Sequence, residues 1–373
     1  MIIGVPKEIK NKEFRVGLTP GNVHELTALG HQVYVQSNAG SGIGFEDAHY
    51  QYMGAKIMTS AEEIFSEAEM IIKVKEPQKN ERAQLRPGQI LFTYLHLAPD
   101  VEQTNELIES EVIAIAYETV TSSNGQLPLL APMSEVAGRM SIQAAAHYLE
   151  KPHGGSGILM ACIPGVESAK VVILGAGVVG SNALQMAIGM GAHVTIVDKS
   201  LSRLRELDAL YGSRIQTRFS SPSMLDELFT KADVVIGGVL VPGSSAPKLL
   251  TRQHVDMMRS GSVLVDVAID QGGCFETSMP TTHDDPVFKI NDVTHYCVAN
   301  MPGAVPRTST IGLTNATFPF VKELAQKGVV QAIKDNAYLK NGVSTYLGNL
   351  TCQATATSQG REFKAINDLI KMH

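Results

Sequence analysis

The sequence is poor in charged residues and has no concentrated run of charge. Charged side chains make up 18% of the 373 residues, whereas soluble domains usually hold about a quarter. The formal net charge is -6, and no run of five or six like charges occurs. Nucleic acid is therefore not an expected partner. Low charge beside 44% hydrophobic residues predicts a large buried fraction, either in a core or in subunit contacts.

Cysteine is scarce, and its spacing excludes common zinc and redox motifs. The four cysteines form no C-x-x-C pair, so we expect reduced thiols in a cytoplasmic protein. No apolar stretch approaches the roughly 18 residues that a membrane helix needs. The first residues lack the basic and apolar regions of an export signal. These absences predict a soluble protein with no membrane partner.

Short apolar runs alternate with helix-like segments along the whole chain, and the length predicts two or three domains. The alternation predicts parallel sheets covered by helices. The predicted strands are residues 2–5, 32–35, 70–74, 90–93, 112–116, 171–174, 194–197, 215–217, 234–236 and 263–265. The main predicted helices are residues 20–30, 99–109, 134–150, 308–328 and 354–372, and a further helix follows Ser60.

A glycine-rich turn follows the predicted strand at residues 171–174. It reads Gly175-Ala-Gly177-Val-Val-Gly180 and leads into a helical pattern. Gly175 would permit a tight turn, Gly177 would let a pyrophosphate approach the backbone, and Gly180 would let helix and strand pack closely. The pattern predicts a dinucleotide site at a helix N-terminus. The alternative is an ordinary strand-turn-helix that binds no ligand.

The next predicted strand ends in Asp198, which falls 23 residues after Gly175. A carboxylate at this position would bond both ribose hydroxyls of the adenosine half and repel a 2′-phosphate. We therefore predict NAD rather than NADP. The nearby cations Lys199 and Arg203 weaken this argument.

Several polar residues lie at strand ends or turns, where ligands bind in parallel sheets. Lys75 and His96 each follow an apolar strand pattern, and Arg15 precedes a helix start. Asp270 follows the predicted strand at residues 263–265 and precedes two glycines. Taken singly, each has a structural alternative: a surface lysine, a core histidine, or a turn aspartate that caps its own backbone.

Several segments together carry a family resemblance: residues 4–8, 15–20, 73–77, 93–97, 266–270 and 300–309, with the glycine turn and Asp198. On these segments, the chain resembles the bacterial L-alanine dehydrogenases over essentially its whole length. The resemblance implies NAD-dependent, reversible oxidative deamination of L-alanine to pyruvate and ammonia, carried out by a homohexamer.

The resemblance also implies an α/β fold of two Rossmann-like domains, each a doubly wound parallel sheet, with a cleft between them. A discontinuous substrate domain would comprise residues 1–128 and 308–373, and an NAD-binding domain residues 129–307. His96 and Asp270 would be catalytic, and Arg15 and Lys75 would bind the substrate carboxylate. Besides the glycine turn, the implied NAD contacts are Ser134, Val178, Asp198, Arg203, Ser220, Val239, Leu240, Val267, Ala268, Ile269, Asp270, Val298, Ala299, Asn300 and Met301.

The chain departs from the family pattern at two positions. Met279 stands where some members have an arginine near the nucleotide, and Lys327 argues against a metal site with Glu118, so no metal is expected. Two other functions are alternatives: the nucleotide-binding subunit of a transhydrogenase, and a non-catalytic NAD-binding protein.

Overall fold

The computed structural model describes residues 1–239 and 246–370. Residue contacts divide the chain into two compact units, the first made of Met1–Met133 and Val305–His373 and the second of Ser134–Ala304. Within the described residues, the strands β1 to β15 are Ile2–Val5, Gln32–Gln36, Lys56–Met58, Met70–Ile72, Ile90–Thr93, Ile113–Ala116, Lys170–Leu174, His193–Asp198, Ile215–Phe219, Val234–Gly237, Val263–Asp266, Val287–Ile290, Val293–Tyr296, Val343–Tyr346 and Asn349–Leu350. The helices α1 to α14 are Pro20–Ala28, Asp47–Tyr52, Ala61–Glu67, Lys79–Arg82, Val101–Glu109, Ala131–Leu149, Val178–Gly189, Leu201–Tyr211, Pro222–Phe229, Arg252–Met257, Pro306–Asp335, Ala337–Lys340, Gln353–Gln359 and Ile366–Leu369.

The first unit is built on a sheet in the order β15-β14-β6-β5-β4-β1-β2-β3. The pairs among β1 to β6 are all parallel. Every residue of β4, β5 and β6 is buried, as expected for parallel strands covered on both faces. At one side, β14 pairs antiparallel with β6, and β15 pairs antiparallel with β14.

The second unit is built on a sheet in the order β12-β13-β11-β10-β7-β8-β9. Its strands are parallel except β12, which runs antiparallel to β13. The strand order reverses at β7, because β8 lies on one side of it and β10 on the other. Ligands of such sheets bind outside the carboxyl ends of the strands at this switch point.

The structure confirms the predicted α/β fold of two Rossmann-like domains, and all the predicted strands are present to within two residues at each end. The strands β3, β12, β13, β14 and β15 were not predicted. The helix starts are confirmed at Thr19 and Ser60, whose side chains accept the backbone N–H three residues on. Among the described residues, no helix is both long and apolar enough to cross a membrane.

The prediction of one terminal helix at residues 354–372 is wrong. Helix α13 ends at Gly360, whose φ of 64° is left-handed, and a separate short helix follows. The Arg361 N–H turns back to the Ala356 carbonyl at 2.9 Å, and the Lys364 N–H donates to the Leu350 carbonyl at 2.9 Å. The chain therefore leaves the helix to bond to β15.

Candidate functional site

Four neighbouring parallel strands of the first unit carry polar residues beyond their carboxyl ends. Strands β1, β4, β5 and β6 lie side by side in the sheet. Arg15 lies in the segment after β1, Lys75 follows β4, and His96 follows β5. The carboxyl ends of parallel strands share one edge, so the predicted substrate-side residues are on the same edge of this unit.

Arg15 is held by a carboxylate that the sequence analysis did not single out. Its Nε and Nη2 atoms donate to Glu13 Oε1 and Oε2 at 2.7 and 2.6 Å, a bidentate pair in which both side chains are buried. Burial alone would lower the pKa of Arg15, but the hydrogen bonds and charge of Glu13 outweigh burial and raise it. Its Nη1 lies 3.1 Å from Met133 Sδ. The guanidinium is thus fixed as a cation.

Lys75 lies beside a buried charge cluster centred on Lys73. Lys73 Nζ donates to Glu8 Oε2 at 3.0 Å and to Glu81 Oε1 at 2.8 Å. Glu8 Oε1 accepts the backbone N–H of Val74 at 2.7 Å and that of Lys75 at 3.4 Å. Burial raises the pKa of Glu8, although Lys73 opposes the shift. The cluster therefore fixes the backbone that presents Lys75.

Glu118, after β6, fixes the backbone at His96. Its carboxylate accepts the His96 N–H at 2.6 Å and the Leu95 N–H at 3.2 Å. His96 has a left-handed φ of 50°, which is uncommon for a residue with a Cβ, and its side chain is exposed. The ring stacks on Tyr94 with centroids 5.7 Å apart, and the Tyr94 hydroxyl donates to the Leu129 carbonyl at 2.6 Å. These contacts order the backbone at His96 and leave its imidazole exposed to solvent.

In the second unit, the glycine turn joins β7 to α7 at the switch point of the sheet. Gly175 has a left-handed φ of 94°. A Cβ on Gly180 would lie 1.8 Å from the Gly175 carbonyl oxygen, so only glycine lets the turn and helix approach this closely. At Gly177 a Cβ would meet nothing within 4 Å, and no side chain caps the helix there. The open turn and uncapped N-terminus fit a pyrophosphate.

Asp198 and Arg203 hold the glycine turn in place. Asp198 Oδ2 accepts the Ala176 N–H at 2.7 Å, and Oδ1 accepts the Ser200 N–H at 2.7 Å. Arg203 donates from Nε to the Ala176 carbonyl at 2.9 Å and pairs with Glu206 at 2.6 Å. The carboxylate predicted to bind ribose is therefore also part of the turn, and the Arg203 charge is balanced locally.

The loop that carries Asp270 is organised by Asp266, at the end of β11. The buried Asp266 carboxylate accepts the N–H of Ala268 at 3.2 Å, of Cys274 at 2.8 Å and of Phe275 at 3.2 Å, and it also accepts the Ser278 hydroxyl. Burial raises the pKa of Asp266, although these hydrogen bonds oppose the shift. Asp270 itself is exposed, in a short 3-10 turn.

Several of the other predicted cofactor residues also lie at or near the carboxyl ends of strands in this sheet. Ser220 follows β9, Val239 follows β10, and residues 298–301 come shortly after β13. Ser134 is in α6 and Val178 begins α7. Leu240 lies outside the described residues. The carboxyl ends of parallel strands share one edge of the sheet, and a dinucleotide would lie along that edge.

Sequence analysis did not assign a supporting role to the acidic residues that hold the site, which are Glu8, Glu13, Glu118 and Asp266. Glu13 lies two residues before Arg15, a spacing that could have suggested the pair. Glu118 and Glu8 bond residues more than 20 positions away, so only the strand order reveals them. Lys327, named as an argument against a metal site, pairs with Glu323 and Asp335 at 3.0 and 2.8 Å.

Comparison with known proteins identifies the family. The family models described as alanine dehydrogenase/PNT, N-terminal domain and C-terminal domain, match residues 4–137 and 141–353. The chain belongs to the alanine dehydrogenase/PNT family. Within it, the chain is 54% identical to alanine dehydrogenase of Halomonas elongata, over 99% of this chain and 100% of the relative. It is 52% identical to alanine dehydrogenase of Bacillus subtilis, over 99% of this chain and 98% of the relative.

Two solved structures match as well. A structure titled L-alanine dehydrogenase has a TM-score of 0.94 and 47% identity, covering 96% of this chain and 99% of its own. A transhydrogenase from Sinorhizobium meliloti has a TM-score of 0.81 and 25% identity, covering 95% of this chain and 100% of its own. The resemblance seen in the sequence is thus confirmed.

Proposed function

We propose that the chain catalyses the reversible, NAD-dependent oxidative deamination of L-alanine to pyruvate and ammonia. The observation that carries the proposal is the edge of the first sheet, where Arg15, Lys75 and His96 follow adjacent parallel strands. A carboxylate bonds the Arg15 side chain, and carboxylates also accept the backbone N–H groups of Lys75 and His96. The relatives named alanine dehydrogenase at about half identity support alanine as the substrate.

In the proposed reaction, L-alanine, NAD⁺ and water give pyruvate, ammonium, NADH and a proton. NAD, when bound, accepts the hydride from the α-carbon. The open turn at Gly177 and the carboxylate of Asp198 support a dinucleotide without a 2′-phosphate, and the pairing of Arg203 with Glu206 supports the same choice. The second unit would thus be the NAD-binding domain, and the first the substrate domain.

Arg15 and Lys75 would bind the substrate carboxylate. Hydride can leave the α-carbon only when the amine is neutral and the substrate is held still. Holding the reactants in place lowers the activation barrier by about 7–11 kcal/mol in favourable cases. The Glu13 pair keeps Arg15 charged and oriented, and Glu8 positions the backbone of Lys75. Lys75 would also bond the oxygen that becomes the pyruvate carbonyl.

His96 and Asp270 would handle the protons. After hydride loss, water adds to the iminium carbon, and the resulting carbinolamine loses ammonia as its C–N bond breaks. An imidazole can take a proton from the water and return it to the leaving amine near neutral pH. Asp270 would stabilise the positively charged amine and orient the water.

One assay separates this proposal from its alternatives. Formation of NADH is measured on adding L-alanine to enzyme and NAD, with D-alanine as the control. Turnover with L-alanine supports the proposal. Hydride transfer between nucleotide analogues without turnover of alanine would instead indicate the transhydrogenase subunit, which the structural match to a transhydrogenase keeps as the second candidate. Binding of NAD without either reaction would indicate a non-catalytic protein. The cytoplasmic location stays a prediction from the cysteine spacing, and the homohexamer stays a prediction from the family resemblance.

A further inference from the structure

The end of helix α6 and the turn after it bring together three side chains that can bind a metal ion. Ligand atoms of His147, Glu150 and His153 all lie within 4.8 Å of one another. The two imidazole centroids are 3.7 Å apart, and His153 Nε2 lies 3.5 Å from Glu150 Oε2. None of these residues is among those proposed above for alanine or NAD.

The backbone places the three side chains on one side of the chain. The Glu150 N–H donates to the His147 carbonyl at 3.2 Å, and the His153 N–H donates to the Glu150 carbonyl at 3.1 Å. Each bond joins two residues three positions apart, so the two turns bring the three residues close together along the chain. Pro152 also restricts φ between Glu150 and His153. The grouping thus rests on two backbone turns as well as on the side-chain conformations.

The loop beneath the cluster is closely packed. The Gly155 N–H donates to the Glu150 carbonyl at 3.0 Å, and the Gly157 N–H donates to the Leu149 carbonyl at 2.8 Å. A Cβ on Gly155 would lie 2.2 Å from the Tyr148 carbonyl oxygen, so a larger residue would move the turn. The backbone that carries the candidate ligands is therefore already ordered without an ion.

We infer that His147, Glu150 and His153 form a surface site for a divalent transition-metal ion of the zinc class. Zinc takes imidazole nitrogen and carboxylate oxygen at about 2.0–2.2 Å. The side chains of His153 and Glu150 are 38% and 58% exposed, so they can rotate to close on an ion, and water can complete its shell. Magnesium and calcium prefer all-oxygen ligands, which two imidazoles do not offer.

The charges near the site affect how tightly it would bind a metal ion. Lys151 is in the turn itself, and Lys289 Nζ donates to the Gly154 carbonyl at 2.7 Å. Both cations oppose the binding of a metal ion, whereas Glu150 favours it. With three exposed ligands and two nearby cations, the site should bind zinc in the micromolar range, more weakly than a buried four-ligand site.

The test is calorimetric titration of the full chain with Zn²⁺ after removal of metals by a chelator. All variants carry Cys162→Ser, because the exposed Cys162 thiol could itself bind zinc. We expect one micromolar site that weakens about tenfold or more in His147→Ala and in His153→Ala. The matched control is His193→Ala, which removes an exposed histidine of the same unit outside the cluster and should leave the affinity unchanged.

Further measurements test which ligands bind the ion and whether its binding stabilises the folded protein. Glu150→Gln should weaken zinc binding, and Mg²⁺ should not compete for the site. Zinc should also raise the thermal midpoint of the parent protein but not of the double variant His147→Ala/His153→Ala, because an ion that binds only the folded state stabilises it. Absence of a micromolar site, or equal affinity in the double variant and its parent, would overturn the inference. No substrate is present, so the outcome does not depend on the proposed dehydrogenase activity.

Discussion

Glu118 accepts the backbone N–H of His96 at 2.6 Å, and this bond joins the ends of two neighbouring strands. Without the Glu118 carboxylate, the N–H groups of Leu95 and His96 would lose their acceptor. The backbone at His96 already has an uncommon φ of 50°. Glu118→Ala should therefore lower kcat by roughly tenfold to a hundredfold, since small misplacements of a catalytic group have effects of this size.

Glu118→Gln is the matched control, because it keeps one acceptor oxygen at the same position. We expect it to retain more of kcat than Glu118→Ala, while both keep the parent Kd for NADH. Steady-state kinetics and NADH fluorescence titration measure the two quantities. If Glu118→Ala keeps full kcat, the carboxylate does not position His96.

His96→Ala and Asp270→Asn should each abolish turnover and leave NADH binding nearly intact, because both groups are proposed to move or stabilise charge on the substrate. Both side chains are exposed, so neither change should disturb the core. Turnover and NADH affinity are measured on the same preparations. A variant with near-parental kcat would remove that residue from the chemistry.

Asp198→Ala should raise the KM for NAD and have little effect on the KM for pyruvate, because the ribose loses a carboxylate and the glycine turn loses an acceptor for the Ala176 N–H. Asp208→Ala is the control, since this exposed aspartate lies in α8 away from the turn. An unchanged KM for NAD in Asp198→Ala would contradict the assignment of Asp198.

Lys73→Met should strongly destabilise the first unit, because it leaves Glu8 and Glu81 facing each other in the core without a cation. Breaking a buried pair in this way typically costs about 3–5 kcal/mol. Lys79→Met is the control: its pair with Glu102 is exposed and screened by solvent, so its loss should change the stability little. Urea unfolding of both variants compares the two losses, and equal losses would mean that the buried cluster adds no more stability than the exposed pair.

The same cluster predicts how stability changes at alkaline pH. Burial alone would lower the pKa of Lys73, but Glu8 and Glu81 outweigh it and raise the pKa above its ordinary value of 10.5. The folded state thus holds this proton more tightly than the unfolded state. Its contribution to stability is complete below about pH 10.5 and is lost as the pH rises through the folded pKa. In Lys73→Met this part of the alkaline loss should disappear from the curve of thermal midpoint against pH.

Much of the fold could be predicted because its signals are local. Apolar runs indicate the buried strands, and the glycine turn indicates the nucleotide site. The strand β14 was missed because it pairs with β6, more than 200 residues earlier, and its short sequence has no strong pattern of its own. The terminal segment was predicted as one helix because the hydrogen bond from the Lys364 N–H to the Leu350 carbonyl of β15 is not visible in the sequence.

The residues of the candidate site could also be predicted only in part from the sequence. Arg15, Lys75, His96 and Asp270 stand out because charged or titratable residues follow apolar strands. Glu118 does not stand out, since an acidic residue after a strand is common and its partner depends on which strands are neighbours. Glu118 supports His96 because the fold places β6 beside β5, and the residue type alone does not reveal this.

The antiparallel strand β14 has a consequence for how the protein is made. Residues 134–304 form their own compact unit and leave the ribosome before residues 343–346, which pair with β6. The second unit can therefore complete its sheet during synthesis, while the first still presents the open edge of β6. A nascent chain or a truncation that ends before β14 would expose this edge to pairing with other chains, so β14 also protects the first unit from aggregation.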